Sequence, residues 1–281
     1  ILFIVVQGVV LVIVDTAISQ NARDKIEEEL AVGARVFRRQ LEQNNNQLVQ
    51  AAEILSRDFA FREAVGTNDV ATIVSALQNH GSRIGAAVMM LASPTRRVMA
   101  DAQRPEEVGR PFAFPGLIDA AERDGRAAGM VRIAGRAYQL VVVPVLAPAP
   151  IAWAAFGFPV DDRFARDLQS LTGLHVSFLT RMHGNKWMVL ASTVPPESRP
   201  QLLAAIPAQP GPDPRDTSAG TQTGGIRFAA GEYESLLLTL EQNDDSAIIA
   251  VLERSLEEAL APFRRLETLL SVLAVGVLTI S

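Results

Sequence analysis

The residues best suited to chemistry in this chain are few and scattered. Its three histidines are His80, His175 and His183. None stands three or four residues from another His or from a Glu, the spacing that puts metal ligands on one helix face. His80 closes a predicted helix, His175 falls in a strand and His183 in a turn, so each reads as structural or solvated. Asp161-Asp162 precedes a helix, where carboxylates accept from free amides and oppose the helix dipole. Asp244-Asp245 sits in a hairpin turn. No Gly-rich phosphate loop and no Gly-x-Ser-x-Gly elbow is present. There are no cysteines, which removes disulfides, thiolate metal sites and thiol nucleophiles together. These residues predict no catalytic group, no metal and no cofactor.

A second set suits binding rather than reaction. Arg83, Arg97, Asp101, Arg132, Tyr138 and Gln139 fall at strand and helix positions of one predicted module. Two or three guanidinium groups near one pocket would hold a carboxylate or another anion, because the fork binds planar anions bidentately. The competing expectation is that they are outward, solvated strand residues. Trp153, Trp187, Met89, Met90 and Met99 read as core.

The elements that must position these residues follow from composition and periodicity. The chain has 281 residues, 48% of them hydrophobic and 20% charged. That is a globular composition, and the length suggests about two domains. Acidic residues outnumber basic ones, 31 to 26, and no Lys/Arg cluster stands out, so nucleic acid is not an expected partner.

Both ends are apolar. Residues 1–14 and 269–281 carry no charge. Each run is shorter than the roughly 20 residues of a bilayer span. We read each as part of a truncated transmembrane helix, which makes the lipid bilayer a partner and places residues of about 15–265 on one side of it. A signal-peptide core and a buried core helix are the alternatives.

From Asp15 to Phe61 Gly33 is the sole glycine and proline is absent. Ile26, Leu30, Ala34, Phe37, Leu41, Asn45, Leu48, Ala52, Leu55 and Phe59 form a seam of nine steps over 33 residues, about 3.67 per step, which is a helical period. The seam passes through an amide-rich stretch, Gln40–Gln47. Its amides are either solvated or, in a paired helix, set register and partner number. A helix of about 45 residues is roughly 70 Å long, which is a stalk and not a core element. We expect a homodimer through it.

Beyond the stalk an element order repeats. The first copy is a helix at Asp69–Asn79, a hairpin at Ala86–Leu91 and Arg97–Ala102, a helix at Pro115–Arg123, and strands at Gly129–Ile133, Arg136–Leu146 and Ile151–Phe158. The second is a helix at Asp162–Leu171, a hairpin at Leu174–Leu179 and Lys186–Ser192, a helix at Glu197–Ile206, and strands at Ile226–Ala229, Glu232–Leu240 and Ser246–Leu252. A Pro/Gly/Asp-rich stretch, 207–225, interrupts the second copy. The expected fold class is α+β: one long N-terminal helix carrying two PAS-like modules, each a five-stranded antiparallel sheet with flanking helices. The boundaries are 1–14 (membrane helix), 15–61 (stalk), 62–160 and 161–262 (modules), and 263–281 (exit helix and second membrane helix).

This layout, with Gly157-Phe158-Pro159-Val160-Asp161-Asp162 and Leu171-Thr172-Gly173-Leu174-His175 at the joint between modules, resembles the double Cache extracytoplasmic sensor domain of bacterial transmembrane receptors. The resemblance implies a sensory function for residues 15–265 in the periplasm, at the inner membrane. It places a small ligand in the membrane-distal module and a cytoplasmic output domain inside, of the cyclic-dinucleotide, histidine kinase, adenylate cyclase or chemoreceptor type. Amino-acid-sensing members carry an Arg-x-Trp-Tyr element that is missing here, so an amino-acid ligand is not expected. The alternatives are a ligand-free dimerisation or periplasmic protein-interaction module and, more remotely, an extracytoplasmic enzyme.

Overall fold

The computed structural model describes residues 2–182, 186–206, 226–230, 233–242 and 247–259. The turn at His183, the 207–225 stretch, Asp244-Asp245 and the apolar run 269–281 lie outside these residues. Among the described residues no helix is long and apolar enough to cross a membrane.

Helix α1 runs unbroken over Leu2–Ser56. It ends because Asp58 turns extended and accepts from the Phe61 amide, starting α2 (Phe59–Gly66). Phe59, expected on the α1 seam, is therefore exposed. Asp69 starts α3 (Val70–Arg83) in the same way, accepting from the Thr72 amide and hydroxyl at 2.9 and 2.6 Å. Those two donors hold the Asp69 carboxyl below the usual range, because hydrogen bonds to the charged form favour it.

The N-terminal module then forms β1 (Val88–Ala92), β2 (Val98–Asp101), α4 (Pro115–Asp124), β3 (Ala127–Ile133), β4 (Arg136–Leu146) and β5 (Pro150–Pro159). The sheet is antiparallel in the order β2-β1-β5-β4-β3. Ala134 and Gly135 join β3 to β4 with φ of 49° and 80°, the two left-handed residues that a tight hairpin matching strand twist requires. Both faces of the sheet are covered. Val49, Ala52 and Leu55 of α1, with Phe61, Ile73 and Leu77, pack on Leu91, Val141, Val143 and Phe156. Ile118 and Ala121 of α4 pack with Phe112 on Met90, Leu140, Val142 and Trp153. Double coverage explains why β4 and β5 read as continuous apolar runs and not as alternation.

The C-terminal module repeats the plan: α5 (Asp162–Thr172), β6 (His175–Met182), β7 (Lys186–Ser192), α6 (Arg199–Ala205), β8 (Ile226–Ala230), β9 (Tyr233–Gln242) and β10 (Ala247–Ser255). Its order is β7-β6-β10-β9-β8, the same connectivity as the first sheet. The 3.67-residue seam of α1 is its core-facing stripe: Ile26, Leu30, Ala34 and Phe37 are buried, and Phe37 meets Phe178 of β6 with ring centroids 6.2 Å apart. Gly33 is the one seam neighbour without a side chain because Leu174 occupies the space a Cβ would need.

The chain divides into two compact units, Ile1–Phe37 with Arg166–Thr239 and Ile249–Ser281, and Arg38–Ala165 with Leu240–Ile248.

Candidate functional site

A cavity of about 300 Å³ opens within the second of these units. Arg38, Leu41, Glu42 and Asn45, spaced three or four apart, line one wall, since that spacing puts them on one face of α1. Ala128, Gly129 and Met130 of the edge strand β3, Gln139 of β4, and Leu240 with Glu241 of β9 complete it. Helix and sheet are joined at the cavity by amides. Asn44 Nδ2 donates to Gln139 Oε1 at 2.9 Å, and Gln139 Nε2 donates to Asn45 Oδ1 at 3.0 Å. Gln139 is thus buried with both ends of its amide satisfied, as a buried polar group requires. Asn44 and Asn45 of the Gln40–Gln47 stretch thus tie α1 to the sheet of its own chain. With one guanidinium, two carboxylates and two amides on its wall, the cavity suits a small polar molecule that both donates and accepts.

The six sequence-selected residues do not share one place. Arg83 is exposed in the last turn of α3. Arg97 is exposed and donates from Nη1 to the Gly109 carbonyl at 2.7 Å. Asp101 is 0% exposed; it accepts from the Gln103 and Arg104 amides at 2.9 Å each and from Arg104 Nη2 at 3.0 Å. Arg132 is half-buried on β3, opposite Ala137. Tyr138 and Gln139 are neighbours on β4, so the pleat sends them to opposite faces. Tyr138 joins the layer under α4, and Gln139 faces α1 and the cavity. Of the six only Gln139 lines the cavity. Arg38, Glu42, Asn45 and Glu241 were not selected from sequence. The signal for the α1 residues was the break in the apolar seam at Leu41–Asn45, whose polar positions needed a polar partner. Under α4 the layer is apolar, with Trp153 Nε1 buried and lacking a hydrogen-bond partner. Trp187, Met89 and Met90 are core, and Met99 is partly buried against it.

No group of three His, Cys, Asp or Glu that would hold a metal ion occurs among the described residues. His80 Nε2 is 3.9 Å from Asp58 and its ring packs edge-on to Phe61. His175 Nδ1 is 3.0 Å from Gln169 Nε2.

A sequence profile described as the double sensory domain of two-component sensor kinases matches residues 23–253. That span takes in α1 from Arg23, both sheets and nearly all of β10. The chain belongs to the double Cache sensory-domain family. Among solved structures, the double Cache fold here is similar to the extracellular domain of the histidine kinase vpHK1S-Z8, at 8% identity and a TM-score of 0.52, covering 85% of this chain and 96% of that one. The sensor domain of the Vibrio cholerae histidine kinase DctB matches at 13% identity and 0.48, covering 83% and 97%. The sensory domain of the Campylobacter jejuni chemoreceptor Tlp3, solved with isoleucine bound, matches at 12% and 0.48, covering 86% and 97%. At such identities the likeness is one of fold. No curated protein matches the chain.

Proposed function

We propose that this double Cache chain is the extracytoplasmic input domain of a two-pass bacterial inner-membrane receptor. Residues of about 15–265 lie in the periplasm, between membrane helices begun or ended by the apolar runs 1–14 and 269–281. A small polar ligand binds in the membrane-distal unit, taken as Arg38–Ala165 with Leu240–Ile248, and biases an output domain of the cyclase, phosphodiesterase, histidine kinase or chemoreceptor kind. The observation that carries this reading is the cavity on α1. A ligand there touches Arg38, Glu42 and Asn45 on the helix that leads back toward the N-terminal apolar run. Its volume lies at the lower end of ligand pockets, about 300–1,000 Å³. A ligand that binds one arrangement of α1 better than another shifts the population of the two. Within the C-terminal module Arg254 of β10 pairs with Glu29 of α1 at 3.0 Å, so the last strand runs beside the first helix.

The test is a thermal-shift screen of the full chain in detergent micelles against carboxylates, amines, polyols and nucleobases at fixed pH. A binder stabilises the fold by about 2.7 kcal/mol at a hundredfold excess over its Kd. We expect a hit that is lost in Glu42→Gln or Gln139→Leu and kept in Arg83→Ala. A hit lost in Arg97→Ala or Asp101→Ala and kept in the cavity variants would move the site to the edge of β2. A reporter inserted in 207–225 that proves cytoplasmic would overturn the receptor reading.

A second reading, a ligand-free dimerisation or periplasmic protein-interaction module, is favoured by Val32, Val36 and Ile54. These are 44%, 38% and 72% exposed on α1, and Val32 and Val36 share a face one turn apart. A homodimer through that stripe would be weakened by Val36→Glu, read as a fall in sedimentation mass. Absence of any ligand hit alongside that result would favour this second reading.

A further inference from the structure

The C-terminal module buries a carboxyl where the fold has no evident need of one. Glu253 of β10 is 0% exposed. Its Oε2 accepts from Ser177 Oγ of β6 at 2.9 Å, and Ser177 Oγ lies 2.8 Å from Ser192 Oγ of β7. Ser192 Oγ in turn accepts from the Val194 amide at 3.0 Å. A chain of hydroxyls therefore crosses three adjacent strands, β7-β6-β10, and ends on an acid. The other carboxyl oxygen, Oε1, is buried with no hydrogen-bond partner.

Among the described residues, the charged and titratable neighbours make no ion pair with Glu253. Arg199 of α6 donates to the Ser192 and Val194 carbonyls. His175, two residues before Ser177, is bonded through Nδ1 to Gln169, packs on the Tyr233 ring of β9, and has Nε2 3.9 Å from Glu258. Arg254, on the opposite pleat, pairs with Glu29 and Glu258. Arg181, further along β6, and Glu234 on β9 make no ion pair with Glu253. Among the described residues no cation lies within ion-pair distance of it.

We propose that Glu253, Ser177 and Ser192 form a proton-binding site in the C-terminal module, occupied in the resting fold and emptied when the surroundings turn alkaline. In the occupied form Glu253 Oε2–H donates to Ser177 Oγ, and Ser177 donates to Ser192. On deprotonation the proton leaves to water, and the two hydroxyls turn about so that Ser192 donates to Ser177 and Ser177 to the carboxylate. A serine hydroxyl both donates and accepts, so the chain reverses without breaking. What changes is the charge: one uncompensated negative charge appears inside the β6–β10 seam, where a buried charge lacking a partner is strongly disfavoured. The site lies two residues before Ser255, whose Oγ accepts from the Glu258 amide at 3.3 Å where the chain turns helical at 256–259. Deprotonation loosens the sheet next to that exit. Burial pushes the Glu253 carboxyl up to about 7, against the downward pull of the Ser177 hydroxyl, so the site empties across the neutral range. None of Glu253, Ser177 and Ser192 lines the ligand cavity.

The test is thermal unfolding of the full chain in detergent micelles from pH 4.5 to 8.5, for wild type, Glu253→Gln and Ser177→Ala. The folded acid binds its proton more tightly than the unfolded one, so its contribution is complete below the unfolded pKa of 4.5 and is lost as pH rises through about 7. The expected fall in the folding constant over that window is on the order of 300-fold. Glu253→Gln should remove this component, and Ser177→Ala should move it to higher pH. If wild type and Glu253→Gln share the same pH dependence, the proposal is wrong. Should Glu253→Gln fail to fold, infrared spectroscopy of the wild type decides. A protonated-carboxyl C=O band present at pH 6 and lost near pH 7 supports the site, and its absence at pH 6 overturns it. Failure here leaves the fixed-pH ligand screen untouched, and the converse also holds.

Discussion

The two sheets share one connectivity, 2-1-5-4-3 in module order, and among the described residues each buries one carboxyl completely, but they treat it in opposite ways. Asp101, at the end of β2, receives two backbone amides and the Arg104 guanidinium. Glu253, in β10, receives one hydroxyl and leaves an oxygen without a partner. Equal burial therefore does not mean equal hydrogen bonding. Asp101 sits where the chain turns out of the sheet, so free amides and a nearby Arg converge on it. Glu253 sits between paired strands whose amides belong to the ladder, and only side chains are left to meet it. The donors that reach the carboxyl oxygens directly, and not depth alone, decide whether a buried acid is held in place or left responsive.

The sharpest way to break the comparison is the pH profile. Between pH 4.5 and 8 Glu253 should withdraw about 3 kcal/mol from the fold, and Glu253→Gln should flatten that slope. An unchanged slope would mean that Glu253 does not hold its proton more tightly in the fold. Next in size, Asp101→Ala strands two amides and a half-buried Arg, so urea unfolding should show a loss of about 2 kcal/mol at pH 8. A loss below about 0.5 kcal/mol would mean that the amides find water instead. Ser177→Ala should cost about 1 kcal/mol at pH 8, where the acid is charged, and less at pH 5. An equal loss at both values would reduce Ser177 to packing. Smallest is Arg104→Gln, worth about 0.5 kcal/mol, because the guanidinium is 31% exposed and water screens it. A larger effect would show that charge, and not the two amides, holds Asp101.

Much of the architecture was legible in the sequence because it rests on local signals. Arg136–Leu146 and Lys186–Ser192 are strands at the bounds that pattern alone suggests. Pro115 starts α4, and Gly125, with φ of 78°, ends it, as fixed and left-handed φ values require. The seam of α1 was legible as a period. Its ending was not, since Asp58 breaks the helix by capping the next one, and a helix-compatible composition continues past it. Gly33 shows the same division. Helix propensity says Gly33→Leu should stabilise α1 by about 1 kcal/mol. The packed position of Leu174 says the change overfills the seam and destabilises by about 2 kcal/mol.

The binding residues were less legible. Arg97, Asp101 and Tyr138 were selected by residue type and place in the strand order, yet a pleat of period two separates Tyr138 from Gln139, and a turn absorbs Asp101. The cavity draws on α1, β3, β4 and β9, segments as far apart as Arg38 and Glu241, and no linear spacing records such a meeting. Glu253 was hidden for the same reason: in sequence it is one acid ending an apolar run, Ile248–Leu252.

By itself, then, the sequence determined the long helix, the twice-repeated α+β element order and the apolar ends, because periodicity, capping and turn chemistry act within a few residues. The tertiary structure alone decided which face of each strand met α1, where a polar cavity opened, and which buried acid found a counter-charge. Those outcomes depend on side chains dozens to hundreds of residues apart, and on the low-dielectric packing that gives their meeting its energy.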